Sequence, residues 1–127
     1  MTRSFIVYGR PVGKPRMTRR DTWKKRECVV RYRSWADEAR AAMGRTTKYT
    51  LRGHAKLTVW AFFTIPKSHR TTRVGDFHTV KPDADNILKA VCDALFENDQ
   101  MVVQAVVTKL WAGSDGERVK IEIEEVA

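Results

Sequence analysis

Cysteine, histidine and long apolar runs are all scarce in this chain. Its 127 residues include two cysteines and three histidines. Cys28 and Cys92 lie far apart, and no Cys-x-x-Cys or Cys/His spacing is present, which removes the ligand pattern of a zinc site. Nothing beside Cys28 marks it as a nucleophile, and Cys92 reads as packing. Two separate thiols fit a reducing, cytoplasmic setting. The longest mostly apolar stretch, Leu57 to Ile65, is too short to cross a membrane. The first residues, Met1 to Gly9, hold no long apolar segment with a small-residue cleavage site, so no signal peptide is expected. Internal repeats and linkers are missing as well. The length suits one domain, spanning residues 1–127, with one core. An apolar share of 43% excludes wholesale disorder.

Acidic residues are scarce only at one end. Residues 1–33 carry eleven Lys and Arg against Asp21 and Glu27, and the rest of the chain carries thirteen of each sign. The whole net charge of +9 therefore sits in the first quarter. A localised surplus of this kind suits a polyanion, because each neutralised phosphate releases counterions. Trp23, Tyr32 and Trp35 lie among the charges and could stack on bases. A solvated basic face is the plainer alternative. The charge favours nucleic acid without distinguishing DNA from RNA.

Periodicity predicts six elements. Ser4 to Tyr8 reads as a strand, and Arg10 to Arg26, with Pro11, Gly13 and Pro15, as a loop. Arg31 to Gly44 reads as a helix capped by Ser34 and stopped at Gly44. Ala55 to Ile65 reads as a strand covered on both faces. Lys67 to Lys81 is a basic loop in which His69 and His78 are expected at the surface or on phosphate. A second helix runs from Asp83 to about Phe96 on a stripe of Ile87, Val91, Ala94 and Leu95. Strands follow at Val102 to Trp111 and Arg118 to Glu124, joined by the turn Gly113-Ser114-Asp115-Gly116. The order β-α-β-α-β-β predicts an α+β domain: a small mixed sheet with helices packed on it, closed by a C-terminal hairpin.

The chemistry concentrates at Lys81-Pro82-Asp83-Ala84-Asp85-Asn86-Ile87-Leu88-Lys89. Asp83 alone would read as an N-cap and Asp85 as a first-turn acid. Lys89, one turn after Asp85, can project along the same face. Asp99 follows the helix closely and could return to the same end of the sheet. Asp93 could orient Lys89, or simply pair with it across one turn. Clustered carboxylates repel unless a cation joins them. Hard oxygens suit Mg²⁺, with Mn²⁺ as the alternative, and a metal-activated water with a nearby amine is the equipment of phosphodiester hydrolysis.

The segment Pro82 to Leu95 resembles the signature of the RusA family of Holliday junction resolvases, P-D-x-D-N-[LI]-x-K-x-x-x-D-[AG]-L. Gly9-Arg10-Pro11-Val12-Gly13-Lys14-Pro15-Arg16 is similar to that family's opening segment, as are Ile65-Pro66-Lys67-Ser68 and the basic loop after them. The resemblance implies a homodimeric, Mg²⁺-dependent DNA endonuclease that cuts four-way junctions by paired symmetric nicks in recombination and repair, of a kind encoded by phages and prophages. It implies that Asp83, Asp85 and Asp99 hold metal and that Lys89 is catalytic. Arg10, Lys14, Arg16, Arg19, Arg20, Lys67, Arg70 and Arg73 would grip the DNA backbone. Many members carry two successive acids after the helix and a Gln beyond them. Here Asn98 takes the place of the first acid and Met101 that of the Gln. The rival reading is a module that binds branched DNA without cutting it. A PD-(D/E)xK nuclease fits less well, because no acid-x-Lys pair follows on a strand.

Overall fold

The protein is described here by a computed structural model covering residues 1–16 and 26–126. The elements are β1 (Thr2–Tyr8), α1 (Glu27–Ala42), β2 (His54–Thr64), α2 (Ala84–Leu95), a 3₁₀ turn (Asp99–Met101), β3 (Val102–Ala112) and β4 (Arg118–Val126). The expected order β-α-β-α-β-β holds, and the class is α+β.

Helix α1 begins earlier than its sequence pattern predicts. Arg26 is its N-cap, with extended backbone and no side-chain cap, and Ser34 sits exposed in mid-helix. Val29 and Tyr32, both buried, extend the apolar stripe of Trp35, Ala36 and Ala39 backward by a turn and a half. Burial of that stripe outweighs the capping preference of Ser34. Gly44 ends the helix at φ +88°, where a side chain would be strained.

The four strands lie in the order β1-β4-β2-β3. β4 pairs antiparallel with both β1 and β2, and β3 pairs parallel with β2. The arms joined at Gly113–Gly116 are therefore a wide pair that straddles β2. The parallel pair needs a crossover, and α2 supplies it. Registers such as Tyr8↔Arg118, Phe62↔Arg118 and Phe62↔Leu110 bring the ends of β1, β2 and β3 and the start of β4 to one rim of the sheet.

Both helices pack on one face, against Val7, Leu57, Val59, Ala61, Phe63, Val119 and Ile121. The other face is open, contrary to the expectation that β2 is covered twice. Thr58, Trp60 and Phe62 are only half-buried there. Cations cover the two rings instead: Lys120 lies 5.1 Å from the Trp60 ring centre and Arg118 3.9 Å from that of Phe62. Such contacts let aromatic residues face water at modest cost.

Candidate active site

Asp83 is the N-cap residue of α2, with φ −69° and ψ 152°, yet its carboxylate makes no capping hydrogen bond. The ordinary structural role for this side chain is left unused. Asp85, in the first turn, is exposed and has Lys89 Nζ 4.0 Å away across one turn. Both partners are largely in solvent, so this pair adds little to stability. Two carboxylates and an amine thus share the exposed N-terminal end of α2.

Two elements hold this end in place. Lys109 on β3 donates from Nζ to the carbonyls of Val80 (2.7 Å) and Pro82 (2.9 Å), anchoring the backbone just before Asp83. Sequence reasoning missed Lys109, although a lone Lys inside the strand Val102–Ala112 was the available signal. From the other side, Lys14 N–H donates to Asn86 O at 3.1 Å. A Cβ at Gly13 would lie 3.1 Å from Pro82 Cβ and 3.4 Å from Asn86 Cβ. The segment rich in Gly and Pro therefore packs on the acidic segment at a distance glycine permits best.

The basic residues fall into three groups. Arg10 is exposed and 3.9 Å from Glu117. Arg16 is exposed, and its carbonyl accepts from Arg26 at 2.6 Å. Lys67, Arg70 and Arg73 are exposed on the segment that joins the end of β2 to Asp83. Lys14 differs: it pairs with Asp93 at 3.1 Å and lies 4.5 Å from the Tyr32 ring centre. Asp93 thus meets Lys14 rather than Lys89, because the Gly13 contact lays the N-terminal segment along α2. Arg19 and Arg20, like Trp23, lie outside the described residues.

The loop of residues 65–82 runs along the outer edge of β3. His78 N–H donates to Lys109 O (2.9 Å), and Trp111 N–H to Asp76 O (2.9 Å). His78 is buried, against the expectation of a surface residue. Its ring stacks on Phe63 at 3.8 Å and tilts against Trp111 at 4.5 Å. Burial, helped by the Lys109 charge, lowers its pKa. His69 meets the edge of Trp111 at 5.3 Å.

Asp99 is not with the other acids. It opens the 3₁₀ turn beyond the far end of α2, and twelve helical residues, about 18 Å, intervene. The cause is topological: β3 runs parallel to β2, so it starts at the rim opposite the start of α2. Among the described residues no three His, Cys, Asp or Glu side chains come together as a metal site. Asp99 instead lies toward Cys92, whose pKa rises to about 12 through burial, with the Asp99 and Asp93 charges adding to it. Asn98 is not a vacant ligand position. Its amide is bound to the backbone of Leu51.

The sequence matches the family model Endodeoxyribonuclease RusA over residues 9–124. The chain belongs to the RusA family. No curated protein matches it. Membership implies a Holliday-junction-resolving nuclease that binds branched DNA in recombination. The match takes in the Gly9–Arg16 segment, the basic loop and the α2 acids. No helix among the described residues is long and apolar enough to cross a membrane.

Proposed function

We propose that this RusA-family protein is a Mg²⁺-dependent endonuclease that resolves four-way junctions by paired nicks, acting as a homodimer. The observation that carries this is the free carboxylate of Asp83, an N-cap residue without a capping bond, beside Asp85 and Lys89. Exposed hard oxygens of this kind fit Mg²⁺, with Mn²⁺ as a substitute, and among the described residues of one chain too few of them gather to enclose it. When bound, the ion would activate water and offset charge on the phosphate. Lys89 would offer its ammonium to a phosphate oxygen or the leaving oxygen. Arg10, Arg16, Lys67, Arg70 and Arg73 would hold the DNA backbone.

Asp99 joins this site only if a second copy supplies it. The outer edge of β3 supports such a pairing. Residues 109–111 of that edge are covered by the segment 75–78, and no strand or bridge among the described residues pairs with the stretch before them. Val103 and Val106 are exposed there, as are Val74, Phe77 and Val80 on the segment alongside. An open edge with apolar side chains is a template for another strand. Asp99 and Lys109 are equidistant from Gln104. Antiparallel pairing of two β3 edges about Gln104 would therefore bring each Asp99 toward the partner copy's Lys109, Pro82 and Asp83. A two-fold dimer also suits two opposed cuts.

The test is Asp83→Asn on a synthetic four-way junction. Nicking in Mg²⁺ should be abolished and junction binding retained, with Mn²⁺ binding by the free protein weakened in parallel. Undiminished nicking by the variant would overturn the assignment.

A further inference from the structure

A cavity of about 400 Å³ opens beside the acidic end of α2. One wall is α1, where Arg31, Ser34, Trp35 and Glu38 share a face. The opposite wall is the segment of residues 9–13, and Pro82, the residue before Asp83, closes one side. Arg10 is the one lining residue that the cleavage reading employs.

Its chemistry is selective. The lining is mostly apolar, and Ser34 and Glu38, both exposed, are among its polar residues. An acid on the lining disfavours phosphate at that wall, and it can accept a hydrogen bond from an amino or imino group. The cations stand where a backbone would pass: Arg10 and Arg31 line the cavity, and both are mainly exposed. Their partners, Glu117 at 3.9 Å and Glu27 at 3.8 Å, are loose pairs that a phosphate can displace. The Tyr8 ring, 68% exposed, adds a stacking surface.

We infer that this cavity receives an unpaired nucleobase from the strand being cut, next to the scissile phosphate. The inference rests on Asp83 and Asp85 marking the cleavage centre. A volume of this order takes a base with room to spare. Bases at a branch point are the easiest to unstack, so a junction supplies the occupant at low cost, and duplex DNA does not. The cavity would then contribute to both junction preference and base preference at the cut.

The probe is 2-aminopurine, placed in turn at each position flanking the mapped nick in a four-way junction. Binding is measured without divalent metal, so that the strand stays whole. With the unmodified protein, fluorescence should change several-fold at one position. Ser34→Trp fills the cavity from an exposed helix position, and should abolish that change and slow nicking roughly tenfold, the worth of about one stacked base. Cys28, exposed and also lining the cavity, gives a second arm that needs no substitution. N-ethylmaleimide should modify Cys28 and not the buried Cys92, and bound junction should protect it. Intact nicking with no fluorescence change at any position overturns the inference alone, as does wild-type behaviour of Ser34→Trp. Absence of nicking by the unmodified protein overturns the cleavage-centre reading and this inference with it.

Discussion

The Asn98 side chain closes a two-point hydrogen-bonded bracket on Leu51: Oδ1 accepts from Leu51 N–H at 2.8 Å, and Nδ2 donates to Leu51 O at 2.9 Å. The bracket continues a backbone bridge, in which Tyr49 N–H donates to Leu95 O (2.7 Å) and Glu97 N–H to Tyr49 O (3.0 Å). Together they fasten the exit of α2, and with it the turn that presents Asp99, to residues 49–51. Only an amide can accept and donate at once in this geometry at neutral pH.

Asn98→Ala should therefore destabilise the protein by about 1–3 kcal/mol, because it strands both Leu51 backbone groups. Asn98→Asp retains the bond from Leu51 N–H and sets a carboxylate oxygen against Leu51 O. Its loss should be smaller than that of the alanine variant but still measurable by urea denaturation. Equal stability of all three proteins would show that the bracket contributes nothing.

His78 sets one pH dependence. Its pKa in the folded state is lowered by burial and by Lys109, so protons favour the unfolded chain. The stability it contributes is complete above its ordinary value of about 6.5, and falls as pH drops through the folded pKa. His78→Phe keeps the stack between Phe63 and Trp111 and removes the proton site. The urea midpoint of this variant should fall less than that of the wild type between about pH 7 and pH 5.

Glu125 sets a second, at lower pH. Burial pushes its carboxyl up. The bonds from Arg52 N–H at 2.7 Å and Tyr49 O–H at 2.9 Å, with one from Gly53 N–H, outweigh burial and hold it below the ordinary carboxylate value. Its stabilising effect is complete above about pH 4.5 and is lost as pH falls through the folded pKa. Glu125→Gln should lower the melting temperature near neutral pH and flatten the acid limb of the stability profile. A variant with the wild-type acid limb would assign that limb to other carboxylates.

Much of this was legible in the chain itself. Period-two and period-3.6 patterns identify all six elements, since those patterns record burial directly. The grouping of Asp83, Asp85, Lys89 and the basic loop follows from contiguous residues. What depended on distant pairing was not legible. The placement of Asp99 turns on β3 running parallel to β2, and no residue between 99 and 112 encodes that choice. His78 looks polar in sequence and is buried only because Phe63 and Trp111 meet it in space. Asn98 reads as a missing acid until Leu51 is seen opposite it.

Subunit complementation tests the central claim, that one metal site draws Asp83 and Asp85 from one copy and Asp99 from another. Asp83→Asn and Asp99→Asn proteins are each assayed on a four-way junction in Mg²⁺, then mixed in equal amounts under conditions that exchange subunits. Each alone should be inactive. In a mixed dimer one site carries both defects and the other carries none, so the mixture should recover about a quarter of the wild-type nicking sites, as single rather than paired nicks. A mixture as inactive as its components, or an Asp99→Asn protein that nicks like the wild type, would contradict the account.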